Sequence, residues 1–213
     1  MPAKIIDGKR VAAKFLENIR KRASQSKEKP GLAIVLVGNN PASEIYVGAK
    51  EKTCKSVGVN CERYNLDENI KQIDLLKIID ELNQNKNIHG MIVQLPLPKR
   101  IDEKLIMDSI LPHKDADGFT PVNLGNLVND DNRLLPATAR ACMELIKSTG
   151  QKISGKNRDN PQQARNHTRF FSPALNRTSS KTKNSASGPI RACSDTNRVV
   201  FEGLIAPNLF FDF

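Results

Sequence analysis

The chain has 213 residues, enough for one ordinary domain or two small ones, and 38% of them are hydrophobic, which permits a buried core. Its net charge of +10 suggests nucleic acid as a partner, but the basic residues are scattered, and the chain has no Trp and only two Tyr for stacking on bases. We therefore expect no nucleic-acid partner. A basic surface that attracts a small anionic substrate explains the charge as well. No apolar run approaches the roughly 18 residues of a membrane span, and the N-terminus resembles neither a secretory signal nor a transit peptide, so we expect a cytoplasmic protein with no membrane partner.

The chain begins with a predicted helix and a predicted buried strand. Apolar residues recur at three- and four-residue spacing between Val11 and Ile19, which indicates an amphipathic helix. The continuous apolar run 32–37 lies between glycines, which is typical of a strand buried on both faces. A strand of this kind favours a parallel sheet.

A strand–loop–helix unit follows from the next residues. Asn40 can cap a helix that has Pro41 in its first turn, and Gly58 supplies its stop. We therefore predict a helix from about residue 41 to Val57, directly after the first strand.

The order of strand and helix then repeats. We predict a strand over 59–66, a helix over 73–82, a strand over 91–93 and a short helix over 105–110, with a last helix around 141–148 in the segment 137–149. Strands that alternate with helices imply an α/β fold, here a parallel sheet with helices on both faces.

The composition changes sharply after Lys156. Residues 157–187 are polar and rich in Asn, Arg, Ser and Thr, with no sustained helical or strand period, and 199–213 are apolar and aromatic. We therefore divide the chain into a domain of residues 1–156 and an aberrant tail of residues 157–213.

The four cysteines indicate neither a disulfide framework nor a metal site. Cys54, Cys61, Cys142 and Cys193 form no C-x-x-C pair, and no histidine lies at ligand spacing from any of them. We expect no bound metal.

Tyr46 and Lys50 form the first candidate site. Their spacing places the phenol and the amine on one face of the helix that follows the first buried strand. A lysine amine shielded from water there can act as an acid or a base. The alternative is a solvated lysine like Lys52 and Lys55 on the same helix.

The second candidate is the string Val93-Gln94-Leu95-Pro96-Leu97-Pro98, where a buried strand ends in an amide side chain and prolines stiffen the exit. An amide fixed at a strand end can orient a neighbouring base. The alternative is an ordinary loop glutamine.

The third candidate is the pair Asp115 and Asp117 in Lys-Asp-Ala-Asp-Gly-Phe. Carboxylates beside a glycine turn can accept paired N–H groups of a heterocycle, bind a metal, or make the turn. Taken alone, the turn is the simplest interpretation.

Taken together, the three clusters indicate a family. The order P-A-S-E-I-Y-V-x-x-K, V-Q-L-P-L-P and K-D-A-D-G-F, followed by P-V-N-L-G, resembles the bifunctional methylenetetrahydrofolate dehydrogenase/methenyltetrahydrofolate cyclohydrolase family. The resemblance covers residues 5–156.

The resemblance implies a role for each candidate in one-carbon folate metabolism. Lys50 is expected to be the catalytic acid/base, Gln94 to hold it, Tyr46 to stack on the aminobenzoyl group, and Asp117 to bind the pterin. Further substrate contacts are expected from Val93, Leu95 and Pro96. The family oxidises 5,10-methylenetetrahydrofolate with NADP or NAD and hydrolyses the product to 10-formyltetrahydrofolate without a metal, and it is commonly homodimeric.

The tail departs from the family pattern. After Gly155-Lys156 the family continues with a strand and a Gly-Arg-Ser-x-x-Val-Gly loop of a Rossmann-type domain, whereas this chain has no glycine before Gly188. Cofactor-binding residues and the choice of NAD or NADP therefore cannot be assigned. Back-translation of residues 160–163 permits an Arg-Ser pair in the next frame, which suggests a changed reading frame near residue 157.

A smaller departure is Pro136-Ala137-Thr138-Ala139-Arg140-Ala141, where the family string is closer to P-C-T-P-x-G. We predict that the family's dehydrogenase activity is lost in this chain and that its cyclohydrolase activity is weak or absent. The alternative function is a non-enzymatic product that at most binds folate or an intact subunit.

Overall fold

The structure is a computed structural model that describes residues 5–129 and 134–151. In chain order these residues form α1 Gly8–Gln25, β1 Gly31–Val37, α2 Pro41–Val57, β2 Asn60–Leu66, α3 Gln72–Gln84, β3 Gly90–Val93, α4 Glu103–Ser109, a short 3-10 helix Pro112–Lys114, α5 Pro121–Val128 and α6 Ala137–Ser148. The alternation of strands and helices confirms the predicted α/β class.

The strands form a three-stranded parallel sheet in the order β2-β1-β3. The central strand β1 is buried along its whole length, as its continuous apolar sequence predicts. Its residue Ile34 pairs with Arg63 of β2 and Ile92 of β3. Because all three strands are parallel, their carboxyl ends meet at one edge of the sheet.

Helices cover both faces of the sheet, as predicted. One core cluster joins alternate residues of β1 to α3 and α4; its members are Ala33, Val35, Val37, Leu75, Ile79, Leu82, Ile88, Met91, Val93, Leu97, Ile101, Ile106 and Ile110. The other joins the opposite face to α1 and α2; its members are Ile19, Leu32, Ile34, Leu36, Val47, Cys54, Val57, Val59 and Ile92. The period-2 alternation of β1 thus supplies both cores.

The predicted bounds of α2 are confirmed. The Asn40 side chain accepts hydrogen bonds from the backbone of Ala42 at 3.0 Å and of Ser43 at 3.2 Å, and Pro41 occupies the first turn. The helix ends at Gly58, whose φ of 83° lies in the left-handed region that glycine tolerates. These two caps fix the helix that carries Tyr46 and Lys50.

Two elements were not predicted from the sequence. No helix was predicted for Pro121–Val128, although Pro121 stands in its first turn, and none for the three-residue 3-10 helix Pro112–Lys114, which is too short for an apolar period to register. The last helix, Ala137–Ser148, includes the predicted core 141–148 and lies within the predicted segment 137–149. The tail 157–213 lies outside the described residues, so its predicted division from the domain stays a prediction. Among the described helices none is long and apolar enough to cross a membrane.

Candidate active site

The candidate residues gather at the carboxyl edge of the sheet. β1 ends at Val37 and leads through a short loop into α2, and β3 ends at Val93, directly before Gln94. A bridge between Met91 of β3 and Asp115 brings the acidic turn beside the same strand. Ligands of open parallel sheets bind at this edge, so the fold supports the positional argument made from sequence.

Lys50 and Gln94 are in direct contact. Lys50 is 3% exposed on α2, and its Nζ donates a hydrogen bond to Gln94 Oε1 at 3.2 Å. The Gln94 amide is itself fixed, since its Nε2 donates to the Leu95 carbonyl at 2.9 Å and its backbone N–H donates to the Val35 carbonyl at 2.8 Å. A buried amine held by an anchored amide is suited to proton transfer with a bound molecule.

Tyr46 lies one helical turn before Lys50 and is 43% exposed. A half-exposed aromatic ring beside a buried amine offers a flat apolar surface to a ligand that enters from solvent. By contrast, Lys52 and Lys55 on the same helix are exposed. The solvated-lysine interpretation therefore holds for those two residues and is wrong for Lys50.

The two carboxylates of the acidic turn have different environments. Asp115 is 2% exposed and accepts hydrogen bonds from the backbone of Gly118 at 2.9 Å and of Thr120 at 2.7 Å, and from Asn123 Nδ2 at 2.9 Å. Its oxygens are occupied by the turn itself. Asp115 is therefore the residue that makes the turn.

Asp117 has a buried oxygen, Oδ1, with no hydrogen-bond partner among the described residues. Burial raises the pKa of this carboxyl, the positive charge of Lys50 opposes that rise, and the negative charge of Asp115 adds to it. The interaction with Lys50 places Asp117 within electrostatic range of the buried amine. A buried acceptor without a donor is a natural partner for the N–H groups of a ligand.

The loop after Gln94 is held by residues that the sequence analysis did not identify. Glu103 Oε1 accepts from the Leu97 backbone N–H at 3.0 Å, and Arg100 donates to Asn69 Oδ1 at 3.2 Å and to the Ile70 carbonyl at 3.1 Å. Neither residue stands in a string that suggests chemistry. The buried Thr120 was also missed; its Oγ1 has no hydrogen-bond partner within the described segments.

The remaining candidates line the strand exit. Val93 is buried in the core, whereas Leu95 and Pro96, which follow the carboxyl end of β3, are exposed. The peptide bond between Leu95 and Pro96 is cis. The roles of these three residues stay predictions.

Neither a metal site nor a dinucleotide seat is present in the part of the chain that the structure describes. Residues 5–129 and 134–151 contain no group of three His, Cys, Asp or Glu side chains that could hold a metal ion. None of their strand–loop–helix units has a glycine-rich loop of the kind that receives dinucleotide phosphates. The described residues therefore do not fit NAD or NADP.

Comparison with known proteins decides the family. The profile described as tetrahydrofolate dehydrogenase/cyclohydrolase, catalytic domain, matches residues 6–117. The chain belongs to the tetrahydrofolate dehydrogenase/cyclohydrolase family. All the candidate residues from Tyr46 to Asp117 lie within the matched range.

Two curated relatives in this family are similar over the first part of the chain. The bifunctional protein FolD of Moorella thermoacetica is 46% identical over 159 residues, which are 73% of this chain and 57% of that protein. The bifunctional protein FolD of Geotalea daltonii is 46% identical over 158 residues, 72% of this chain and 56% of that protein. The chain thus spans little more than half the length of these relatives.

Solved structures of the family have the same fold. The bifunctional enzyme FolD, a methylenetetrahydrofolate dehydrogenase/cyclohydrolase, from Campylobacter jejuni superposes with a TM-score of 0.74 at 32% identity, over 86% of this chain and 69% of that one. The Trypanosoma brucei N5,N10-methylenetetrahydrofolate dehydrogenase-cyclohydrolase, solved with NADP and an inhibitor, gives 0.74 at 28% identity over 84% and 63%. The likeness confirms the predicted fold class.

Proposed function

We propose that residues 1–156 form a folate-binding catalytic domain that acts on one-carbon derivatives of tetrahydrofolate. The observation that carries the proposal is the buried Lys50 amine, held by Gln94 at 3.2 Å and within electrostatic range of Asp117. Tyr46 supplies an aromatic surface one turn away. Family membership supplies the substrate class.

In this proposal Asp117 binds the pterin, because its unpartnered Oδ1 accepts N–H groups that only a heterocycle or an amidine-like group presents in pairs. Tyr46 stacks on the aminobenzoyl group, and Val93, Leu95 and Pro96 line the other side. A pterin bound by Asp117 places its one-carbon bridge towards the Lys50 amine.

Lys50 then moves the protons of the hydrolytic step. Water adds to the methenyl carbon, Lys50 accepts a proton from that water, and it returns a proton to the ring nitrogen whose bond to carbon breaks. Gln94 keeps the amine in place, and no further hydrogen-bond partner of the Lys50 amine is found among residues 5–129 and 134–151, so its other N–H groups can donate to the substrate. No metal takes part in this scheme.

NADP or NAD accepts the hydride in the oxidation step of the family. The described residues do not fit the dinucleotide, so none of them is assigned to that step. The full pair of activities, 5,10-methylenetetrahydrofolate oxidation and hydrolysis to 10-formyltetrahydrofolate, is the family's expected function. For this chain we propose that the oxidation is lost and that the hydrolysis is weak or absent.

The test measures how fast the absorbance of 5,10-methenyltetrahydrofolate falls after the full chain is added. This rate is compared with the rate of spontaneous hydrolysis without protein. Any enzymatic acceleration should disappear in Lys50→Met, because general acid–base catalysis raises a reaction rate by about 10²- to 10⁴-fold. The acceleration should persist in the matched control Lys52→Met. Equal rates in both variants, both faster than spontaneous hydrolysis, would show that Lys50 is not the proton carrier.

A second candidate is a non-enzymatic protein that only binds folate or an intact subunit of the family. It is favoured by the lack of glycine between Gly155 and Gly188, where the family has its phosphate-binding loop. Folate binding without turnover, with or without NADP or NAD, is its expected signature. Sequencing the transcript across codons 150–170 shows whether another reading frame encodes that loop.

A further inference from the structure

The buried amide of Asn123 takes no direct part in the proposed folate contacts. This residue lies in the P-V-N-L-G string of α5 and is 5% exposed. Its Nδ2 donates to the Pro112 carbonyl at 2.8 Å and to Asp115 Oδ2 at 2.9 Å. An amide nitrogen carries two N–H groups, so each of these acceptors can receive one of them. Asn123 therefore ties α5 both to the 3-10 helix and to the acidic turn.

Asp115 carries this constraint into the turn. Its Oδ1 accepts from the Gly118 backbone N–H at 2.9 Å, and its Oδ2 accepts from the Thr120 backbone N–H at 2.7 Å as well as from Asn123. Both backbone N–H groups lie on the C-terminal side of Asp117. A carboxylate held by three donors thus fixes the chain directly after Asp117.

The backbone of Asp117 is held from other sides as well. The Ala116 N–H donates to the Met91 carbonyl of β3 at 3.1 Å, and the Asp117 carbonyl accepts from the Ala137 N–H at 3.2 Å. By contrast, the buried Oδ1 of Asp117 has no hydrogen-bond partner in the ranges 5–129 and 134–151. The direction of the Asp117 carboxyl is therefore set by its backbone rather than by hydrogen bonds to this oxygen.

We propose that Asn123 is a positioning residue for the pterin contact, because it orients Asp115 and through the turn aims the Asp117 carboxyl. The inference rests on the proposed function, since it requires Asp117 to bind the heterocycle. A carboxylate accepts a pair of N–H groups only when both of its oxygens point towards them. A small rotation of the turn therefore weakens the paired contact while the fold stays intact.

The first experiment measures the binding of 5-formyltetrahydrofolate, a stable reduced folate, to the full chain by isothermal titration calorimetry. Asn123→Leu should weaken binding about 10-fold, because a hydrogen bond to a charged group is worth roughly this factor or more in affinity. Unchanged affinity in this variant would overturn the proposal. If Asn123→Leu does not fold, Asn123→Ser takes its place; its hydroxyl supplies one donor instead of two, so a smaller loss is expected, and no loss would overturn the proposal equally.

Asn83→Leu is the matched control. The Asn83 side chain also joins two parts of the backbone, since its Nδ2 donates to the Ser109 carbonyl at 2.8 Å and its Oδ1 accepts from the Leu111 N–H at 3.1 Å. None of these bonds reaches the acidic turn. Asn83→Leu should therefore bind 5-formyltetrahydrofolate as tightly as the original chain, and a loss equal to that of Asn123→Leu would contradict a role specific to the turn.

Two further readouts separate positioning from a general loss of stability. Amide hydrogen exchange at Gly118 and Thr120 should be faster in Asn123→Leu than in the original chain and unchanged in Asn83→Leu, because both amides donate to Asp115. The loss of affinity from Asn123→Leu should also vanish when it is added to Asp117→Ala, since the effect passes through Asp117. Unchanged exchange at both amides, or losses of affinity that multiply, would overturn the proposal.

The same titrations distinguish failure of this inference from failure of the proposed function. If the original chain binds 5-formyltetrahydrofolate and Asp117→Ala weakens that binding while Asn123→Leu does not, the proposed function stands and the positioning role is wrong. If the original chain does not bind 5-formyltetrahydrofolate at all, the proposed function fails and the positioning role fails with it.

Discussion

Replacing Asp117 with Asn should stabilise the folded chain at neutral pH while removing the proposed pterin contact. Burial raises the pKa of Asp117 above its ordinary value of 3.8, so the folded state binds this proton more tightly than the unfolded chain does. The resulting stabilisation is complete below pH ~3.8 and is lost as the pH rises through the raised pKa. Above that range the ionised carboxylate lowers the free energy of unfolding.

The size of the effect follows from the contacts of Asp117. A buried polar atom without a partner costs about 1–3 kcal/mol, and more when it is charged, but the nearby Lys50 charge offsets part of this cost. We therefore expect Asp117→Asn to raise the free energy of unfolding at pH 7 by roughly 1–2 kcal/mol. For a domain of this size that is a rise of about 2–8 °C in Tm.

The assay is urea unfolding of the two proteins from pH 7 down to pH 3.5. The stability difference should be present at pH 7 and should vanish at the acid end, where Asp117 is protonated in both states. Asp115→Asn is the matched control with the opposite sign, because Asp115 accepts three hydrogen bonds that its variant weakens. The reasoning fails if Asp117→Asn is no more stable at pH 7, or if the difference does not change with pH.

Two further stability predictions concern other buried positions. Lys114→Met should lower the free energy of unfolding by about 2 kcal/mol. The Lys114 Nζ donates at 2.8 Å to the carbonyls of Leu82 and Asn85 at the end of α3, and both carbonyls lose this donor in the variant. An unchanged urea midpoint would contradict this expectation. Gly31→Ala should cost about 3 kcal/mol or more, since the added Cβ would lie 1.9 Å from the Asn87 carbonyl oxygen; the control Gly48→Ala, with nothing within 4 Å, should be neutral or stabilising by thermal unfolding.

The sequence predicted the elements whose signals are local and missed those whose positions depend on the assembled fold. Asn40 and Gly58 mark the two ends of α2, because an Asn side chain can cap a helix start and glycine tolerates the left-handed conformation at a helix end. The continuous apolar run of β1 predicted burial on both faces of that strand. The eight-residue helix Pro121–Val128 was missed although Pro121 occupies its first turn; no side chain caps it, and its start is held by the hydrogen bond from the Thr120 backbone N–H to Asp115. A long apolar period in the sequence predicts a helix or strand, whereas the position of a short helix depends more on tertiary contacts.

The candidate site shows the same limit at the level of side chains. Spacing alone placed Tyr46 and Lys50 on one helical face, but it did not distinguish buried Lys50 from exposed Lys52. The turn motif that contains Asp115 and Asp117 likewise did not separate them, and only the family resemblance implied the pterin contact for Asp117. Only the fold shows that the hydrogen-bond capacity of Asp115 is used within the turn while Asp117 keeps an unpartnered oxygen.

The residues proposed for folate binding and hydrolysis lie in a different part of the chain from the loop that binds the dinucleotide in the family. Every residue proposed to contact folate lies between Tyr46 and Asp117, within the range 6–117 that matches the family profile. The proposed folate binding and the proposed proton transfer by Lys50 therefore depend on groups within this part of the chain. The oxidation step requires a dinucleotide-binding site, which these residues do not provide. The proposed outcome for this chain is therefore folate binding without oxidation, with any remaining hydrolysis dependent on Lys50.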